Sequence, residues 1–104
     1  MLSSDAIDVA HSIREPGISH SLLYRFLFEL EGRIALEIQG RNEWVQEDVL
    51  SVPAPYDRIY WLYLVMMIDL LYGDKERYLR TKEAFQEAFD AYTFYYRSKH
   101  GSGS

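Results

Sequence analysis

Residues 59–72 read IYWLYLVMMIDLLY, and Gly73 follows. Wound at about 3.6 residues per turn, the run makes a helix with two apolar stripes. Ile59, Tyr63, Met66 and Leu70 form one; Trp61, Leu64, Ile68 and Tyr72 form the other, nearly opposite. A helix that is apolar all round must be buried all round. A bilayer is not the solution, because a spanning helix needs roughly 20 predominantly apolar residues and Asp69 interrupts this run. Either neighbouring helices surround it, or one stripe faces the core and the other a second subunit. Asp69 lies at the seam between the stripes, one turn from a helix C-terminus where the dipole disfavours negative charge. It is either a wet edge position or the partner of an arginine on a neighbouring helix or subunit.

The remaining 90 or so residues must supply those neighbours, and the periodicity predicts three more helices. Ser3 or Ser4 caps the first, with Leu2, Ala6, Val9 and Ile13 on its apolar stripe, Asp5, Asp8, Ser12 and Glu15 on its polar side, and Pro16-Gly17 as its stop. Ser19 caps a second, running to about Gln39, with Leu23, Phe26, Leu27, Leu30, Ile34 and Ile38 inward and Gly40 as its stop. Tyr24, Phe28 and Ala35 lie outside that face and provide spare apolar surface. Pro53 and Pro55 bar a helix from the loop at 40–55. The dry helix then runs from near Tyr56-Asp57 to Tyr72; Gly73 closes it, and Asp74 caps a fourth helix to about Lys99. Tyr78, Thr81, Phe85, Ala88, Phe89, Tyr92 and Tyr96 share one face of that last helix. The expected fold is all-α: a small bundle of about four helices with a C-terminal antiparallel helical hairpin. Residues 1–100 make one domain and 101–104, GSGS, a flexible tail.

Charge narrows the function. Eleven Lys/Arg against sixteen Asp/Glu leave the chain at −5, which argues against phosphate-backbone binding as its main role. Residues 91–104 are the exception, adding Arg97 and Lys99 and no acid. The absence of cysteine excludes disulfides and thiolate metal sites. MLSSDAIDVA, with its early Asp5 and no basic start, does not read as a signal peptide. Nine tyrosines among 104 residues supply apolar bodies with polar tips, a composition suited to contact surfaces as well as to a core.

No constellation carries catalysis. His11, His20 and His100 have neither metal-ligand spacing nor a nucleophilic partner, and no glycine loop would cradle phosphate. Glu83, Glu87 and Asp90 converge on one side of the fourth helix, but no histidine joins them at the spacing of carboxylate metal sites, so they read as a solvated acidic wall. Phe94 on that same side is a candidate partner contact. Arg25, Glu29, Arg33, Glu37 and Arg41 recur every fourth residue as a self-paired solvated edge. In DKERYLRTK the basic residues do not share a stripe, and Asp74 and Glu76 dilute them further. No enzyme activity and no cofactor are expected.

FLFELEGRIALEI (26–38), VPAPYDRIYWLYL (52–64), IDLLYGDKERY (68–78) and FQEAFDAY (85–92) follow one another in an order that resembles the small head–tail connector proteins of tailed phages and prophages, also called adaptor or head-completion proteins. The chain differs from that pattern in a short loop at 40–55 and in Leu79-Arg80-Thr81. The resemblance implies a non-catalytic subunit of a dodecameric ring beneath the portal vertex. It would join the DNA-filled head to the stopper or tail, with the C-terminal segment reaching the portal protein. On that reading Tyr24, Phe28, Trp61 and Asp69 belong to subunit interfaces, and Glu83, Glu87 and Asp90 face the channel, past which DNA slides without sequence recognition. Phe94, Tyr95, Tyr96, Arg97 and Lys99 meet the portal. A virion neck, assembled in the host cytoplasm without a membrane, is the expected location. The reading from a different class is a small acidic helical regulatory dimer that binds another protein.

Overall fold

A computed structural model describes residues 1–14, 17–41 and 48–100. The expected stop at Pro16, Glu15, the 42–47 part of the loop and the GSGS end lie outside them. The described residues form four helices: α1 (Ser3–Ile13), α2 (His20–Glu37), α3 (Arg58–Leu71) and α4 (Lys75–His100). Among the described residues there is no strand, only an isolated antiparallel bridge between Leu2 and Val49. The chain is an all-α bundle.

The helix ends follow from local chemistry. Ser19 caps α2, its hydroxyl accepting from the Leu22 N–H at 3.3 Å. Gly40 turns the chain at φ +64, a conformation that favours glycine, and the Arg41 N–H donates back to the Ala35 carbonyl at 2.8 Å. Gly73 does the same for α3 at φ +73. Its own N–H donates to the Leu70 carbonyl and that of Asp74 to the Asp69 carbonyl, both at 3.1 Å, which is a Schellman closure. Asp74 then accepts from the Arg77 N–H at 3.1 Å and starts α4.

The first helix departs from expectation twice. Its cap position is Leu2, not Ser3 or Ser4, and the Asp5 carboxylate accepts from the Leu2 N–H at 3.2 Å. The Ser3 N–H is occupied elsewhere: it donates to the Asp48 carbonyl at 2.8 Å, while the Leu50 N–H donates to the Met1 carbonyl at 3.0 Å. The buried face is Ser3, Ala6, Ile7 and Ala10, whereas Leu2 and Ile13 of the expected stripe are exposed. Ala6 of the expected stripe is buried, but the inward face is turned towards Ile7 and Ala10, which leaves Leu2 and Ile13 outside.

The dry helix is the hub. It packs against α1, α2 and α4. Ile59, Tyr60, Leu64, Val65, Met66 and Ile68 are buried accordingly. Its contact with α4 is the most extensive in the molecule. Asp69 meets Thr81, Tyr63 meets Phe85, and Tyr56 meets Tyr92 and Tyr95, an order that runs the two helices in opposite directions. Burial stops at the last turn, where Leu70, Leu71 and Tyr72 emerge into solvent. Ala35, expected outside the packed face of α2, is fully buried. The molecule measures 46 × 27 × 21 Å, and α4, at about 39 Å for its 26 residues, accounts for most of the long dimension.

Candidate interaction surfaces

Two buried polar knots fix where the outer surfaces lie. In the first, Arg14 at the end of α1 donates to both oxygens of Asp69, Nε to Oδ1 at 2.8 Å and a terminal nitrogen to Oδ2 at 3.3 Å. The Thr81 hydroxyl adds a third donor at 2.9 Å. Asp69 is 2% exposed, so the assignment of Asp69 to a subunit interface is corrected: its carboxylate is spent inside the chain, joining α1, α3 and α4. The hydrogen bond to Asp69 holds the Arg14 guanidinium above its ordinary pKa, against the opposing effect of burial.

The second knot centres on Glu31, which is 6% exposed. It accepts from the Tyr60 hydroxyl at 2.7 Å, the Ser51 hydroxyl at 3.0 Å and the Ser51 N–H at 2.7 Å. The Tyr60 oxygen in turn accepts from the Val52 N–H at 2.9 Å. Burial first, and the Glu31 charge second, push the Tyr60 phenol far above its usual pKa. Gln39 extends the network, donating to the Ser51 hydroxyl at 3.0 Å and to the Tyr92 hydroxyl at 2.9 Å. Sequence reading passed over Glu31, although it lies on the Leu23–Leu27–Ile34–Ile38 stripe where an acid is out of place. That position was the available signal.

Of the residues expected to make partner contacts, Tyr24 and Phe28 stack on each other with centroids 6.0 Å apart and remain half-buried, as does Trp61. Phe94 is 76% exposed. Glu83, Glu87 and Asp90 all face solvent, with Asp90 accepting from Gln86 at 3.0 Å. Tyr95 and Tyr96 are more deeply engaged than a free tail would be. Tyr95 stacks on Tyr56 at 4.7 Å, and Tyr96 packs at 6.0 Å from Tyr92 with its hydroxyl donating to the Gln39 carbonyl at 3.4 Å. Arg97 and Lys99 are exposed, the Lys99 ammonium lying 5.6 Å from the Tyr95 ring centre. The C-terminal end of α4 is therefore a basic surface laid over an aromatic platform that belongs to the bundle.

The charge ladder of α2 is sparser than its spacing implied. Arg33 pairs with Glu37 at 2.8 Å and places its guanidinium 4.6 Å from the Phe89 ring centre, while Arg41 turns to Gln39. In DKERYLRTK, Arg77 pairs with Asp74 and Arg80 with Glu76. His11 and His20 meet edge to face at 4.7 Å. No group of three potential metal ligands occurs among the described residues, and no described helix is long and apolar enough to cross a membrane.

Fold and surfaces together define a small all-α bundle whose outward chemistry consists of apolar, acidic and basic-aromatic patches. No family model matches the chain, and no curated protein or solved structure is similar enough to match it.

Proposed function

We propose that the chain is a structural subunit of a phage or prophage head–tail connector, with no catalytic role. One observation carries the reading: the exposed surface divides into separate contact patches. The Tyr24–Phe28 pair lies half-buried on α2, while the exposed Phe94 beside its acids and the Arg97–Lys99 end over its tyrosines follow one another along the outer side of α4. A ring subunit needs two different lateral faces, because a heterologous contact repeated by rotation closes a ring. It also needs a third surface for the body on which the ring sits. The half-exposed pair on α2 and Trp61 serve the lateral joints, and the basic-aromatic end docks on the portal protein. Glu83, Glu87 and Asp90 repel passing DNA from the channel wall, and a stopper or tail protein binds the opposite side. In this reading the chain works in the virion neck, as one of about twelve copies in a ring, the number its family resemblance implies.

Mass in solution, measured with and without portal protein, tests this directly. A ring, or a monomer that forms a ring on portal, is the expected result. Replacing Phe28 or Trp61 by glutamate should block the ring while circular dichroism stays unchanged. A dimer indifferent to portal would overturn the reading in favour of an acidic helical regulator.

A further inference from the structure

α2 and α4 each pack on α3 but not on one another, so side chains must bridge them. One bridge is the Arg33 guanidinium over the Phe89 ring. Nearer the end of α4 the link is Gln39. Its backbone is held by the closure of α2: the Gln39 N–H donates to the Ile34 carbonyl at 3.0 Å, and Gly40 turns the chain beside it. From there Gln39 reaches α4 twice. Its amide nitrogen donates to the Tyr92 hydroxyl at 2.9 Å, and its backbone carbonyl accepts from the Tyr96 hydroxyl at 3.4 Å. Tyr92 and Tyr96 lie one helical turn apart. The next turn carries Arg97, Lys99 and His100, whose ring stacks on Tyr96 at 4.3 Å. We propose that Gln39 is a positioning residue: it fixes the direction in which α4 presents its basic-aromatic end, and the buried charge of Glu31 sets how Gln39 is bonded. The docking role rests on the connector reading; the positioning does not.

The direction of each bond follows from what its partners can do. A carboxylate only accepts and a guanidinium only donates. Glu31 therefore takes the protons of the Tyr60 and Ser51 hydroxyls. With its proton spent, the Ser51 oxygen can only accept, and the Gln39 amide nitrogen supplies that bond at 3.0 Å. Arg41 fixes the same orientation from the other side. Its Nε donates to the Gln39 Oε1 at 2.9 Å, so the amide nitrogen must face the two hydroxyls. Both amide protons and the amide oxygen are thereby used. Two side chains of nearly the same shape fail for different reasons. Methionine offers no donor. Glutamate has no proton for Ser51, and it brings a second carboxylate to within one serine of Glu31.

Amide hydrogen exchange on the full chain tests the positioning, read at residues 93–97, whose N–H groups close the last turns of α4. Gln39→Met should raise exchange there roughly tenfold and leave the amides of α3 unchanged. Unchanged exchange at 93–97, or an equal rise throughout α3, overturns the proposal. Ser51→Ala, at an exposed position that touches α4 only through Gln39, should also raise exchange at 93–97; no rise overturns the link to Glu31. Gln39→Glu should do more harm in the native chain than in a Glu31→Gln background, where the amide at 31 donates to Ser51 and Ser51 to the new carboxylate. Equal harm in both overturns the same link. Affinity for portal protein is the second readout: Gln39→Met should weaken it on the order of tenfold with Arg97 and Lys99 intact. Raised exchange with unchanged portal affinity overturns the docking role. If the unaltered chain ignores portal protein, the connector reading falls, and exchange still decides the positioning.

Discussion

Arg14 and Asp69, 55 positions apart in the chain, are joined by two hydrogen bonds that tie the end of α1 to the last turn of α3. The carboxylate sits where the α3 dipole opposes it, and three donors offset that cost. Removing one member of a buried pair strands the other. Arg14→Ala should therefore destabilise the fold by about 3 kcal/mol, near the lower end of the range for buried pairs because the guanidinium keeps some solvent contact. Asp69→Asn, which keeps the shape and a hydrogen-bonding oxygen, should cost less. Urea unfolding of the two variants checks the order.

Phe85 contacts Tyr63 at 5.2 Å and Phe89 at 5.7 Å between ring centres, and is almost completely enclosed. Truncation to alanine leaves a cavity where α4 lies on α3 and should cost about 3–5 kcal/mol. A loss below about 1 kcal/mol would mean that the site collapses freely.

Alkaline pH should unfold the protein earlier than ordinary tyrosines would allow. Burial raises the phenols of Tyr60, Tyr63 and Tyr92, with the Glu31 charge adding to the effect at Tyr60. A group whose folded pKa is raised contributes stability that is complete below its unfolded value, about 10 for tyrosine, and is lost as pH climbs above it. Stability measured from pH 8 to 12 should therefore fall above about pH 10. Tyr60→Phe should flatten part of that fall. At neutral pH the same variant should lose about 1–3 kcal/mol, since Glu31 and the Val52 N–H each lose a partner.

Truncation separates tail from platform. On the connector proposal, ending the chain after Tyr96 should leave stability nearly unchanged and abolish docking on portal protein, because Arg97 and Lys99 are exposed. Ending it after Phe94 should also lower the melting temperature, since Tyr95 and Tyr96 pack on Tyr56 and Tyr92. Unchanged portal affinity after the shorter deletion would move docking onto the bundle. Raised salt should weaken docking of the intact chain.

Local chemistry made the ends of α2, the end of α3 and the start of α4 readable from the chain alone, but not the cap of α1, which is Leu2. Ser19, Gly40, Gly73 and Asp74 act through their own backbone and near neighbours, so their effects do not depend on where the helices go. The apolar faces of α2 and α4 were legible for the same reason: stripes such as Leu23–Leu27–Leu30–Ile34 and Phe85–Ala88–Phe89–Tyr92 recur at the helical period. Only tertiary structure decided how far α1 is turned, because Leu2–Ala6–Val9–Ile13 and Ser3–Ala6–Ile7–Ala10 both recur at the helical period and the second is the one buried. It also decided the fate of the two acids. Glu31 and Asp69 are buried by donors 20 and 55 residues away, and no local pattern encodes a partner at that distance. The dry helix joins both lessons. Its period announced burial on every side, but packing alone determined that three helices cover it and that Leu70, Leu71 and Tyr72 at its last turn stay outside.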